Sequence, residues 1–313
     1  MVVLQLVCLA IVASYVGARL VLAGDASERK AFVLRFLALA IAAAIGEDTM
    51  IRAHGAYSYS PEWTVFVGRV PLVVVLVWPV VIDSAASVAR HALAHDALEG
   101  ARTSPDARVR WGLVHGRARW SSTLAVASLT GLVVFADASL IEPIAVRAGL
   151  WAWTDPGVFD VPLVGIAGWA FFAAIATAVL GDGRAFARAL LVIPIAPLVT
   201  HGLVLASWWT LFRWVQGPIA PSWAVTSAWG LLLLATLLAS RAGRRIPIAE
   251  ILLRAPGAAF FFVLLALGDV TSATGRMLVF YALAFAPPYL VAMASRVIGA
   301  KGEPMSMGRQ ASQ

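Results

Sequence analysis

Glu47 and Glu142 head two segments whose chemistry-bearing residues follow one order. The first runs Glu47, Arg52, Gly55-Ala56-Tyr57-Ser58-Tyr59, Val70-Pro71-Leu72 and Trp78; the second runs Glu142, Arg147, Gly149-Leu150-Trp151-Ala152-Trp153, Val161-Pro162-Leu163 and Trp169. In both, Arg follows Glu by five residues, two aromatic residues alternate shortly after Gly, and Trp follows Pro by seven. Trp and Tyr favour any membrane interface, which accounts for aromatic residues at that depth but not for their shared order with Glu, Arg, Gly and Pro. The two segments therefore read as an internal repeat, and repeats in membrane proteins commonly place a site at their interface.

Acid beside aromatic rings suits carbocation chemistry. A carboxyl group taken out of water holds its proton and can deliver it to an isoprenoid double bond. Aromatic faces then stabilise the tertiary cation by cation–π attraction. Capture of the cation by water is hydration, capture by a second double bond is cyclisation, and proton loss is isomerisation; the same residues serve all three. Glu47 and Glu142 are the candidate acids, Asp48 and Asp137 the candidates for orienting water, and Tyr57, Tyr59, Trp78, Trp151, Trp153 and Trp169 the candidate lining, with Asp160, Trp63, Trp208, Trp209 and Trp214 at the same level. His201 follows the Pro-interrupted run Pro194-Ile195-Ala196-Pro197-Leu198-Val199-Thr200 and reads as a bridge between spans or as a general base at the substrate.

The elements that must hold these residues are membrane helices. Of the 313 residues 61% are apolar and 13% charged, a mixture unsuited to a water-facing surface, and apolar stretches of spanning length recur along the chain. Their cores lie near Val2 to Ala23, Ala31 to Gly46, Thr64 to Ile82, Ser121 to Ala136, Val158 to Leu180, Ala185 to Thr210, Ser222 to Ser240, Ile251 to Gly268 and Met277 to Ser295. The expected architecture is all-α: one polytopic helical bundle of nine spans over residues 1–300, with the repeat across spans two to five and a disordered tail at 301–313.

Assigned to the nearer loop, nineteen of the 24 Lys and Arg residues fall on one face and five on the other, which places the N-terminus outside and the C-terminus in the cytoplasm of a bacterial-type membrane. No Lys or Arg precedes Arg19, so the first span reads as retained rather than as a secretory signal. The net charge of +7 is explained by this loop asymmetry, without nucleic acid as a partner. His91 and His95 stand one helical turn apart beside Asp96 and Glu99, a metal-ligand spacing, but in an Arg-rich stretch that reads as a solvated segment near lipid headgroups.

Several chemistries are disfavoured. Cys8 is the single cysteine, so the chain alone builds no disulfide, thiolate zinc site or iron–sulfur cluster. There is no histidine box, no Gly-rich dinucleotide fingerprint, no P-loop and no pair of Asp-rich motifs, so neither a metal nor another cofactor is expected.

With these motifs in view, the chain resembles the carotenoid biosynthesis proteins that include the carotenoid end-group hydratases, on Glu47 with Gly55 to Tyr59 and Val70 to Trp78, and on Glu142 to Arg147 with Gly149 to Trp153 and Val161 to Trp169. The second motif is also similar, more weakly, to the membrane lycopene cyclase domains. Where the hydratase family usually carries Asn this chain has Gly165, and where the cyclases carry an acidic pair after Pro it has Leu163-Val164-Gly165. The resemblance implies cofactor-independent chemistry on a carotenoid or other isoprenoid lipid, a lyase-type hydration ahead of cyclisation, with membrane lipids and other carotenoid-pathway enzymes as partners. The competing expectations are a transporter or lipid-binding protein hinged at Pro194, Pro197, Pro287 and Pro288, and a non-catalytic scaffold of a carotenoid complex. The sixth and ninth spans have no counterpart in the repeat, which disfavours symmetric alternating access.

Overall fold

The computed structural model describes residues 1–103, 107–181, 186–215, 217–242 and 247–291, and the side chains of these outside 94–121 and 239–242. Among them stand nine α-helices: α1 (Val2–Leu22), α2 (Ala26–His54), α3 (Leu72–Thr103), α4 (Ala107–Arg147), α5 (Leu163–Leu180), α6 (Phe186–Thr210), α7 (Pro221–Ala242), α8 (Ile248–Leu267) and α9 (Ala273–Leu283). Seven of these, all but α2 and α9, are long and apolar enough to cross a membrane. In α2 the apolar stretch is bracketed by Arg35 and Glu47, and the described part of α9 has 11 residues. The side chains of His95, Asp96 and Glu99 and the whole tail at 301–313 lie outside what is so described, whereas the ring of His91 is bonded 2.9 Å from the Ser87 carbonyl.

Helices α2 to α6 close a ring: α2 packs on α3, α3 on α4, α4 on α5, α5 on α6, and α6 returns to α2. Small residues set the spacing, with Ala38, Ala42, Ala43, Ala85, Ala173, Ala176 and Ala196 buried together around Trp78 and Phe172. Such residues let helix backbones approach where no hydrophobic effect drives them together. Outside the ring, α1 lies on α3, and α8 touches α1, α3 and α4. Leu124, Leu132, Leu198 and Leu231 are left exposed on helix surfaces, as a lipid-facing exterior requires.

Two helices run further than their apolar patterns imply. The second span is expected to end near Gly46, yet α2 continues to His54 and stops only at Gly55, whose φ of 59° is the left-handed turn glycine adopts without penalty. The fourth is expected to end near Ala136, yet α4 continues through Pro143 to Arg147, because Leu140, Ile141, Ile144 and Ala145 bury one face of the extra turns. Gly149, with φ 70°, plays the part that Gly55 plays after α2. Glu47, Asp137 and Glu142 thus stand on helix walls.

The all-α expectation omits four short strands. After Gly55 comes β1 (Tyr57–Tyr59), and β4 (Trp151–Trp153) follows Gly149; the two pair antiparallel, Tyr57 with Trp153, Ser58 with Ala152, and Tyr59 with Trp151. The pairing is continued at each end by Thr154 N–H to the Ala56 carbonyl (2.9 Å) and Ser60 N–H to the Leu150 carbonyl (3.0 Å). A second pair, β2 (Phe66–Val67) with β3 (Val70–Pro71), turns the chain into α3.

Candidate functional site

The β1–β4 ribbon closes one end of the helix ring, and beneath it lies a cavity of about 100 Å³. Alternation along a strand fixes which side chains face it. In each strand the outer two residues, Tyr57 and Tyr59 or Trp151 and Trp153, point to one side while Ser58 or Ala152 points away.

Each glutamate is held by its own strand and its own tryptophan. The Glu47 Oε2 accepts from the hydroxyls of Tyr57 and Tyr59, the latter at 3.0 Å, and its Oε1 accepts from the Trp78 indole N–H at 3.0 Å. On Glu142, Oε2 accepts from the indole N–H groups of both Trp151 and Trp153 at 2.8 Å. Trp169, which follows Pro162 as Trp78 follows Pro71, also reaches this carboxyl with its indole. Glu142 is only 2% exposed. Burial, with the nearby Glu47 carboxylate adding to it, pushes the Tyr57 and Tyr59 phenols well above their ordinary value, so both remain O–H donors.

The two shells also interlock. Tyr57 lies 4.7 Å from Trp153 between ring centroids, Tyr59 meets Trp151 edge-on at 5.8 Å, and Trp78 stacks at 4.3 Å against Trp169. Donors to one carboxyl therefore pack against donors to the other, and both carboxyls face one apolar space walled further by Phe172, Pro197 and Val204.

Gly165 has a specific reason here. A Cβ on it would come within 2.5 Å of the Trp153 ring, so no asparagine fits while Trp153 holds Glu142. His201 lines the cavity as well, but its Nε2 is bonded to the Thr49 hydroxyl at 2.8 Å and its ring faces His54 at 5.6 Å, which ties α6 to α2.

The structure brings together Glu47, Glu142, Tyr57, Tyr59, Trp78, Trp151, Trp153, Trp169 and His201. It does not bring Asp48 or Asp137 to them. Asp48 takes the Arg52 guanidinium at 2.6 Å and the Arg69 N–H at 2.8 Å, bracing the turn between β2 and β3. Asp137 faces a different cavity, where Arg254 grips its two oxygens at 2.6 and 2.5 Å and also donates to Ser84 at 2.7 Å. The cause is helical phase: five residues separate Asp137 from Glu142, about 140° of rotation on α4. Trp63 donates to the Leu150 carbonyl, Trp208 lines another crevice, and Trp209 and Trp214 flank Arg213.

Thr200 and Phe172 are cavity residues that sequence reading does not assign to the site. Thr200 had a signal: a hydroxyl inside a Pro-interrupted span, where polar groups are costly unless used.

No curated protein and no solved structure matches the chain. Residues 1–216, which include every residue lining the cavity, match the family model described as carotenoid biosynthesis protein, and the chain belongs to that family.

Proposed function

We propose that the chain is a membrane enzyme that adds water to the terminal isoprenoid double bond of a carotenoid by acid catalysis. The observation that carries this reading is the convergence of Glu47 and Glu142, with their aromatic donors, on one apolar cavity. Hydrogen-bond inventory divides the roles. Glu47 is held by two tyrosine hydroxyls, which can accept as well as donate and so can take up a proton, whereas Glu142 meets the indoles of Trp151, Trp153 and Trp169, which only donate. Glu142 protonates the end-group double bond, leaving a tertiary cation among the rings, where a desolvated cation–π contact contributes roughly 2 kcal/mol. Water adds its oxygen to that carbon, the proton it sheds goes to Glu47, and transfer back to Glu142 resets the site.

The shared order of the two motifs, with their matching donors, supports reading spans two to five as an internal duplication whose halves each supply one carboxyl. The loop charges support an outer N-terminus and a cytoplasmic C-terminus, with the β1–β4 ribbon at the outer face. Two of the nineteen charges counted on the inner face, Arg19 and Arg254, are paired inside the bundle.

Expression in a bacterium that accumulates lycopene tests the reaction. Hydration predicts pigment heavier by one water; an isomer of unchanged mass from the wild-type chain would replace hydration by cyclisation or double-bond isomerisation, and unaltered pigment would remove the reading for this substrate.

A further inference from the structure

Among the described residues, three buried side-chain polar atoms have no hydrogen-bond partner: Thr177 Oγ1, Thr200 Oγ1 and Arg213 Nε. Of the three, only Thr200 lines the cavity that holds Glu47 and Glu142. It is 7% exposed, and it departs from the habit of four other helical threonines. Thr49, Thr130, Thr210 and Thr236 each turn the hydroxyl back onto the carbonyl four residues earlier, at 2.6 to 2.8 Å. Thr200 does not. A buried hydroxyl without a partner is costly, so its partner is to be sought in the cavity it lines.

That wall is supplied by α6, through Pro197, Thr200, His201 and Val204, whereas the carboxyls come from α2 and α4. The polar groups of the acid wall are engaged with one another, and His201 is bonded to Thr49. A hydroxyl both donates and accepts, which a water held for nucleophilic attack requires. The cavity, at about 100 Å³, is several times the roughly 15 Å³ that one water needs, and leaves space for an end group.

We infer that Thr200 holds the water that captures the cation, and that α6 thereby decides between hydration and loss of a proton. This rests on the hydratase reading above. With water on Thr200, its oxygen bonds the cationic carbon and its surplus proton passes to Glu47. Without it, the cation sheds a proton from a neighbouring carbon to the same carboxylate and re-forms a double bond, giving an isomer of unchanged mass.

The test is the share of hydrated product among all converted pigment in lycopene-accumulating cells, a ratio independent of how much protein the membrane holds. Thr200→Val keeps the shape and removes the hydroxyl. Its ratio of hydrated pigment to isomer should fall about tenfold, the rate effect of one hydrogen bond, which lowers the hydrated share as isomer accumulates. Thr200→Ser should restore the wild-type share, and Thr200→Ala serves if the valine variant does not accumulate. A valine or alanine variant with an unchanged hydrated share overturns the water site and leaves the hydratase reading standing. A wild-type chain that yields no hydrated pigment overturns both.

Discussion

Glu47 and Glu142 differ in who holds them, and that difference makes their roles separable. Tyrosine hydroxyls can accept as well as donate, so Glu47 sits among groups able to relay a proton; the indoles around Glu142 only donate. Glu142→Gln is expected to lower turnover of the isoprenoid substrate by about 10²–10⁴, the range of a general acid, with pigment binding retained in the purified protein. Glu47→Gln should lower it less, and unchanged product from the double variant would sink the acid mechanism. Trp153→Phe keeps an aromatic face while removing one donor, so a smaller loss, of about tenfold, separates the hydrogen bond from the cation–π wall. The repeated order of Glu, aromatic and Trp residues made these positions legible in sequence. Asp48 and Asp137 looked equivalent because carboxylates near the same depth differ only in helical phase and partner, which spacing does not report.

At the scale of elements, α2 and α4 carry their glutamates on turns that hydropathy alone would assign to loops. Polar residues end an apolar pattern before they end a helix; the termination signal was the glycine, at Gly55 and Gly149. The turn from α8 to α9 offers a pH test of a local element. Asp269 Oδ1 accepts from the Thr271 hydroxyl at 2.7 Å and from the N–H groups of Thr271 and Ser272 at 3.0 and 3.2 Å, while Oδ2 meets Arg147 at 3.2 Å. These bonds, the Thr271 hydroxyl first, lower its carboxyl to about 2. Because the folded value lies below the unfolded one of about 3.9, the turn is firm above that value and loosens as pH falls through about 2. Pepsin cleavage at this turn should therefore accelerate between pH ~4 and ~2, and Asp269→Asn should be cut readily throughout.

Across the whole molecule, α8, which lies beyond the family match, is locked onto the matched part by ion pairs. Arg254 of α8 binds Asp137 of α4, and Glu250 binds Arg19 of α1 at 3.0 Å, which in turn meets Asp83 of α3 at 3.2 Å. Tyr15 completes the set by donating to Asp83 at 2.8 Å. Removing one partner from such a site leaves a charge without compensation. Asp137→Leu should cost about 3–5 kcal/mol in detergent unfolding, and adding Arg254→Met should recover much of it. Additive losses would show that the pair is not coupled.

Membrane character, carotenoid family and the two glutamate-aromatic motifs were determined by sequence, because apolar length and a shared order of residues survive as linear patterns. Only the tertiary structure decided that β1 pairs with β4, so that each glutamate's donors pack against the other's and both glutamates open on one cavity. It also decided that Asp137 turns to Arg254 and that Thr200 lines the cavity the two glutamates share. Each of these depends on helix phase and on contacts between residues far apart in the chain, and neither is written in spacing along it.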